Sequence, residues 1–191
     1  MPNVRSLRPV PSTQSATTDR APVVAGDRPL VYLTFGTVFN DTGLFASAMA
    51  GIARLDIDVL VTVDGSRSGG AGPVPRTSGW SEHIPHTAVL PHCAAVVSRA
   101  GSGTFWLRSA WAFRNCACRR APTSSSTPDR AQPPAPPSLS PQAVSADAIG
   151  GTVGRLLVEP GFRSATGRVR TEIEGMPSPD DSGSRSLEGL P

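Results

Sequence analysis

Lysine is absent. All 18 basic residues of this 191-residue chain are arginine. That excludes a nucleotide-triphosphatase phosphate loop, whose Gly-Lys-Ser/Thr step needs a lysine ammonium on the phosphates. Arginine codons are mostly GC-rich and lysine codons are not, so a GC-rich genome is inferred. Cysteine is scarce: three residues do not make a disulfide framework. His92, Cys93, Cys116 and Cys118 make a poor zinc set, because Cys-x-Cys and adjacent His-Cys chelate less well than Cys-x-x-Cys. No apolar run approaches the roughly 18 residues of a membrane span. The opening MPNVRSLRPVPSTQ has no apolar h-region and is not a secretory signal. The chain is therefore expected in the cytoplasm, away from membranes, with no metal and no cofactor.

What is present bounds the architecture. The length suits one domain with a real core, plus tails. The 38% hydrophobic share is low, and 20 prolines with 19 glycines is high, so part of the chain is expected to be irregular. The net charge of +3 is unevenly placed. Residues 107–137 hold five arginines and one acid, a net of +4; the remainder holds thirteen arginines and fourteen acids, a net of −1.

Four segments follow. Residues 1–28 are polar and proline-bearing, without a period, and read as a linker or disordered arm. In 29–106, RPLVYLTFGT, IDVLVTV and AAVVS are short continuous apolar runs, suited to strands buried on both faces. Between the first two, Leu44, Phe45, Ala48, Met49, Ile52 and Leu55 recur at helical spacing behind cap candidates Asn40, Asp41 and Thr42. HIPHTAVLPHC reads as a loop and a short helix. Strands alternating with helices predict an α/β fold, a Rossmann-like doubly wound parallel sheet. Residues 107–137 carry six prolines and a serine run and are expected to be irregular. Beyond them, Ser145 can cap a helix bearing Ala148, Ile149, Val153, Leu156 and Leu157, which Gly150 and Gly151 each weaken by about 1 kcal/mol. Phe162, Ala165, Val169 and Ile173 mark a second helix after Pro160. The domain is expected to span 29–180, with 181–191 a tail.

The stretch VVSRAGSGTF, 96–105, reads as a strand entering a glycine-rich turn that opens a helix. Such a turn offers free backbone N–H groups and the positive end of a helix dipole, and Ser102 and Thr104 add hydroxyl donors. The chemistry favours a phosphate or diphosphate. A dinucleotide fingerprint would need its third glycine at 106, which is Trp106, and the Gly-x-Ser-x-Gly nucleophile elbow is absent. By itself the turn serves equally well as a plain tight turn with no ligand.

RPLVYLTFGTVFN, HIPHTAVLPHCAAVVSRAGSGTF and LLVEPGFRSATGRVRTEIEGMPSP form an ordered set. In order and spacing they resemble the C-terminal, donor-binding domain of GT-B fold, UDP-glycosyltransferase-like enzymes, in the bacterial branch that glycosylates macrolides and other natural products. The resemblance covers roughly 29–106 and 138–180. It implies half of a GT-B fold and places a nucleotide-sugar donor site on Gly36, Thr37, His83, Arg99, Gly101, Ser102, Gly103 and Thr104. Gly36 and Thr37 match the family's turn beside the diphosphate, and Gly101 to Thr104 its phosphate loop. His83 stands where the family's W-x-P-Q element has the aromatic that packs on the donor base, and His86 where it has glutamine. Arg99 replaces the family's usual histidine, and Ala100 a glycine. His83, His86 and His92 also read as ordinary surface or helix-cap histidines.

The family's next strand and its aspartate-glutamine sugar motif should fall in 107–137, and they do not. Back-translated with GC-rich codons and read one base earlier, this segment gives LGLGIPQLCLPQGADQFLNA, the family motif. That suggests a local frameshift between Trp106 and Leu139, an irregular insert in place of one strand, and no residue carrying the aspartate-glutamine pair. A well-packed strand within 107–137, its backbone paired into the sheet, would contradict this account; codons unable to give that string would end it.

The expected function is the donor-binding domain of a glycosyltransferase that moves a sugar from a nucleotide diphosphate to a small-molecule hydroxyl, inactive as this fragment. NVRSLRPVP resembles the family's interdomain linker, so the acceptor domain and its catalytic base are expected elsewhere, in a separately encoded partner. The alternative is a non-catalytic nucleic-acid-binding protein using arginines of 107–130, with Trp106, Trp111 and Phe113 for stacking.

Overall fold

The computed structural model describes residues 7–8, 27–35, 42–62, 78–81, 84–98, 114–118, 138–139 and 144–179. Six strands form one parallel sheet: β1 (Leu30–Thr34), β2 (Asp58–Thr62), β3 (Ser78–Ser81), β4 (Ala95–Ser98), β5 (Arg114–Cys118) and β6 (Ser138–Leu139). Their order across the sheet is β3-β2-β1-β4-β5-β6, the doubly wound arrangement in which the strand order reverses between β1 and β4.

The three apolar runs of the sequence are the three central strands. Their register sorts side chains by parity. Val31 and Leu33 lie level with Val59 and Val61 on one side and Ala95 and Val97 on the other. These six face α1 (Thr42–Ile52) and α3 (Ala146–Val158) in one buried cluster. Tyr32, Leu60 and Val96, level with one another, face the opposite way. They are covered by Ile84, by Val89 of α2 (His86–Val89) and by Leu90 of the 3-10 turn Leu90–His92. Both faces are covered, so these strands are apolar without alternation.

The helices follow their apolar periods. In α1, Leu44, Ala48, Met49 and Ile52 are buried. In α3, Ile149, Val153 and Leu156 are buried, and the Ser145 hydroxyl caps the helix by accepting from the Ala148 N–H at 3.1 Å. Gly150 does more than weaken this helix. A Cβ on it would sit 2.6 Å from the Gly51 carbonyl oxygen, and one on Gly51 would collide with the Ala146 carbonyl oxygen. The two glycines let α1 and α3 touch backbone to backbone. Arg54 and Asp147 pair across the same crossing. Pro160 begins α4 (Pro160–Glu174), which buries Ala165 and Ile173 and rests Phe162 against the first cluster. The Arg8 N–H donates to the Pro177 carbonyl at 2.9 Å, tying a point within the expected arm to the segment after α4.

One expectation is overturned. A strand does stand within 107–137: Arg114–Cys118 pair in parallel with β4, Ala95 level with Arg114 and Val97 with Cys116, and Ala117 and Cys118 pair onward with β6, while the rest of 107–137 lies outside the described residues. A ladder is made of backbone N–H and C=O groups and asks little of side-chain type, which an apolar-run criterion misses. The pairing counts against the frameshift account and leaves that coding reading resting on the gene's DNA alone. The edge strands β3 and β6 also escape the apolar-run criterion. Among the described residues, no helix is long and apolar enough to cross a membrane.

Candidate functional site

Chain direction decides where a site can form. In an open parallel sheet, ligands bind outside the carboxyl ends of the strands, at the point where the strand order reverses. Here that point lies between β1 and β4. The two strands end level with each other, Thr34 beside Ser98, and the chain leaves both at the same edge. The segment containing Gly36 and Thr37 continues from the first, and the segment containing Arg99 and Gly101 to Thr104 from the second. Those seven residues, Gly36, Thr37, Arg99, Gly101, Ser102, Gly103 and Thr104, together with His83, lie outside the described residues. What the fold contributes is that the strands leading to both segments are adjacent, parallel and in register.

The edge is polar in a way the apolar-run reading passed over. Thr34 lies level with Thr62 of β2 and with Ser98 of β4, so three neighbouring strands end on hydroxyl side chains on the same face. Thr34 and Ser98 are buried. The signal was in the sequence: LVYLT, DVLVT and AVVS are apolar runs that each close on a hydroxyl. Two residues further back on β1, the Tyr32 hydroxyl lies 2.9 Å from Thr62 Oγ1. Burial raises the Tyr32 pKa above its ordinary value, and hydrogen bonds to Thr62 and Thr34 pull it partly back. The opposite, amino-terminal edge carries a different chemistry. There Arg28 bridges Asp56 at 2.9 Å and approaches the buried Asp58 at 4.0 Å. That group is far from the reversal point by chain direction and has the form of a structural tie.

The remaining histidines separate. His86 opens α2 and meets the Tyr32 ring edge-on, with centroids 5.8 Å apart at 67°. It is half-buried and part of the packing. His92 is exposed at the end of the 3-10 turn. Cys93 donates to the Val89 carbonyl at 3.3 Å, and burial pushes its thiol up to about 12. Among the described residues no group of three or more His, Cys, Asp or Glu side chains is placed to hold a metal ion.

Comparison with known proteins gives this edge a context. No family model matches the chain. It is 30% identical over 160 residues to tylactone mycaminosyltransferase of Streptomyces fradiae, a match covering 80% of this chain and 35% of that protein. It is likewise 30% identical over 170 residues to TDP-daunosamine transferase of Streptomyces peucetius, covering 80% of this chain and 37% of that one. Among solved structures, glycosyltransferase VinC in complex with dTDP superposes with a TM-score of 0.79 at 23% identity, covering 97% of this chain and 47% of that one. Spinosyn rhamnosyltransferase SpnG complexed with thymidine diphosphate gives 0.80 at 21%, covering 99% and 53%. The chain thus spans about a third of the length of these curated relatives and about half of these structures.

Proposed function

Starting from a chain that is a homologue of bacterial natural-product glycosyltransferases and has the fold of half a GT-B enzyme, we propose that it is the donor half, binding a nucleotide diphosphate sugar at the reversal point between β1 and β4. The observation that carries this is the in-register exit of the two strands at one edge, Thr34 beside Ser98, each followed in sequence by a glycine-bearing segment. Backbone N–H groups of such turns suit a diphosphate, and Arg99 adds a guanidinium able to pair with phosphate oxygens bidentately. By the resemblance, His83 takes the place of the family's base-packing aromatic.

The reaction this half serves is inverting transfer. An acceptor hydroxyl attacks the anomeric carbon as a base removes its proton, and the bond to the diphosphate breaks. The turns stabilise the departing diphosphate. The acceptor pocket and the base belong to the other half, supplied by a separate chain or a longer form of this one. The setting is the cytoplasm, where nucleotide sugars are made.

Calorimetric titration tests the reading. TDP or UDP should bind more tightly than thymidine or uridine, and Arg99→Ala should weaken the diphosphate by about 1.5–3 kcal/mol, the scale of a charged hydrogen bond. The chain alone should transfer no sugar. Equal binding of nucleoside and diphosphate, or salt-dependent binding to arbitrary DNA in place of either, would sink the proposal.

A further inference from the structure

Tyr32 stands at the centre of the second face, 1% exposed, in a cluster with Leu60, Ile84, Val89, Leu90 and Val96. It meets both sides of the turn into α2: Ile84 packs in its cluster, and His86 lies edge-on to its ring. Its hydroxyl is held by Thr62, which the sheet register fixes beside Thr34. An apolar residue could fill this volume. The hydrogen bond adds a fixed tilt for the ring, and so a fixed seat for the His86 edge. Tyr32 also belongs to β1, the strand that runs on into Gly36 and Thr37.

We propose that Tyr32 is a positioning residue that sets the place of segment 84–92, and with it the element continuing from His83, relative to the phosphate-binding edge. This deepens the donor-binding reading and rests on it. The same strand then references both contacts of a nucleoside diphosphate: the phosphates through the turn after β1, and the base through the segment seated on Tyr32. Phosphate binding alone does not need that spacing. Binding of base and phosphate together does.

Three variants test it: Tyr32→Leu, which removes ring and hydroxyl; Tyr32→Phe, which keeps the ring; and Thr62→Val, which removes one of the hydroxyl's two threonine partners. Two measurements are made on the full chain, amide hydrogen exchange and calorimetric titration with TDP and with pyrophosphate. Tyr32→Leu should speed exchange across 84–92 while the protection of α3 is kept. It should weaken TDP by a factor of about 2 to 10, the scale of an aromatic pair, and leave pyrophosphate unchanged. Tyr32→Phe should recover most of both effects. Should Tyr32→Leu fail to fold, the Phe and Val variants carry the same comparison at smaller amplitude. Unchanged exchange at 84–92, or equal weakening of TDP and pyrophosphate, overturns the proposal. A parent chain that binds neither ligand overturns the donor reading, and the exchange data then decide the seating of 84–92 separately.

Discussion

Cys93 shows how burial and chemistry diverge at one residue. With its thiol pushed up to about 12 from an ordinary value of 9.0, it holds its proton in the fold and loses it more readily when unfolded. The folded state therefore binds the extra proton between these two values, and stability contributed by Cys93 is full below pH 9 and falls as pH rises toward 12. Peptide-resolved alkylation at pH 8 should modify Cys93 more slowly in the folded chain than in urea, since only the thiolate reacts. Comparable rates would show the thiol is not buried as described. Nothing in the letters of VLPHCAA foretold this, because a cysteine's reactivity depends on what packs over it. Other residues were readable: Ser145 as a cap, and Val31, Leu33, Val59, Val61 and Val97 as core, because local hydrogen bonding and apolar runs fix those roles. Tyr32 was visible only as one member of an apolar run; its hydroxyl acquires a partner through pairing between β1 and β2, which no single segment encodes.

At the scale of elements, two adjacent glycines in α3 should behave oppositely. Gly150 sits at the crossing with α1, where a Cβ meets the Gly51 backbone at 2.6 Å; Gly151 is exposed, with nothing within 4 Å of an added Cβ. Gly150→Ala should destabilise the fold by about 1–3 kcal/mol through overpacking against backbone that cannot turn aside. Gly151→Ala should stabilise it by about 0.5–1 kcal/mol through helix propensity. Chemical denaturation separates the two, and matching signs would refute the crossing. The sequence reading treated both as helix-weakening, which is their local effect; only the contact with Gly51 distinguishes them. Central strands were legible because burial on both faces demands apolar runs. The edge strand SGWS and the segment RNCAC were not, because an edge or off-centre strand is recruited by the open hydrogen-bonding rim of its neighbour. The two glycine-bearing segments of the candidate site lie outside the described residues; that the strands leading to them, β1 and β4, are neighbours is a property of strand order that no single segment encodes.

At the scale of the whole molecule, alternation of strands and helices revealed the doubly wound class without revealing the order. That order, with β1 between β2 and β4, has a consequence for how the chain comes into being. A ribosome releases β1, α1, β2 and β3 first. Until Ala95–Ser98 emerge, one rim of β1 has no partner, and until Ala146–Val158 emerge, α1 lacks the helix that crosses it at Gly51. Pairing so distant in sequence is slow to form, and an open apolar strand rim invites other chains. A fragment ending at residue 94 should therefore self-associate in light scattering while the full chain stays dispersed; a monodisperse fragment would refute this. The seam between β1 and β4 is thus also the last part of the central sheet to close, so nascent chains pass through a stage in which one side of β1 is a sticky rim that needs shielding.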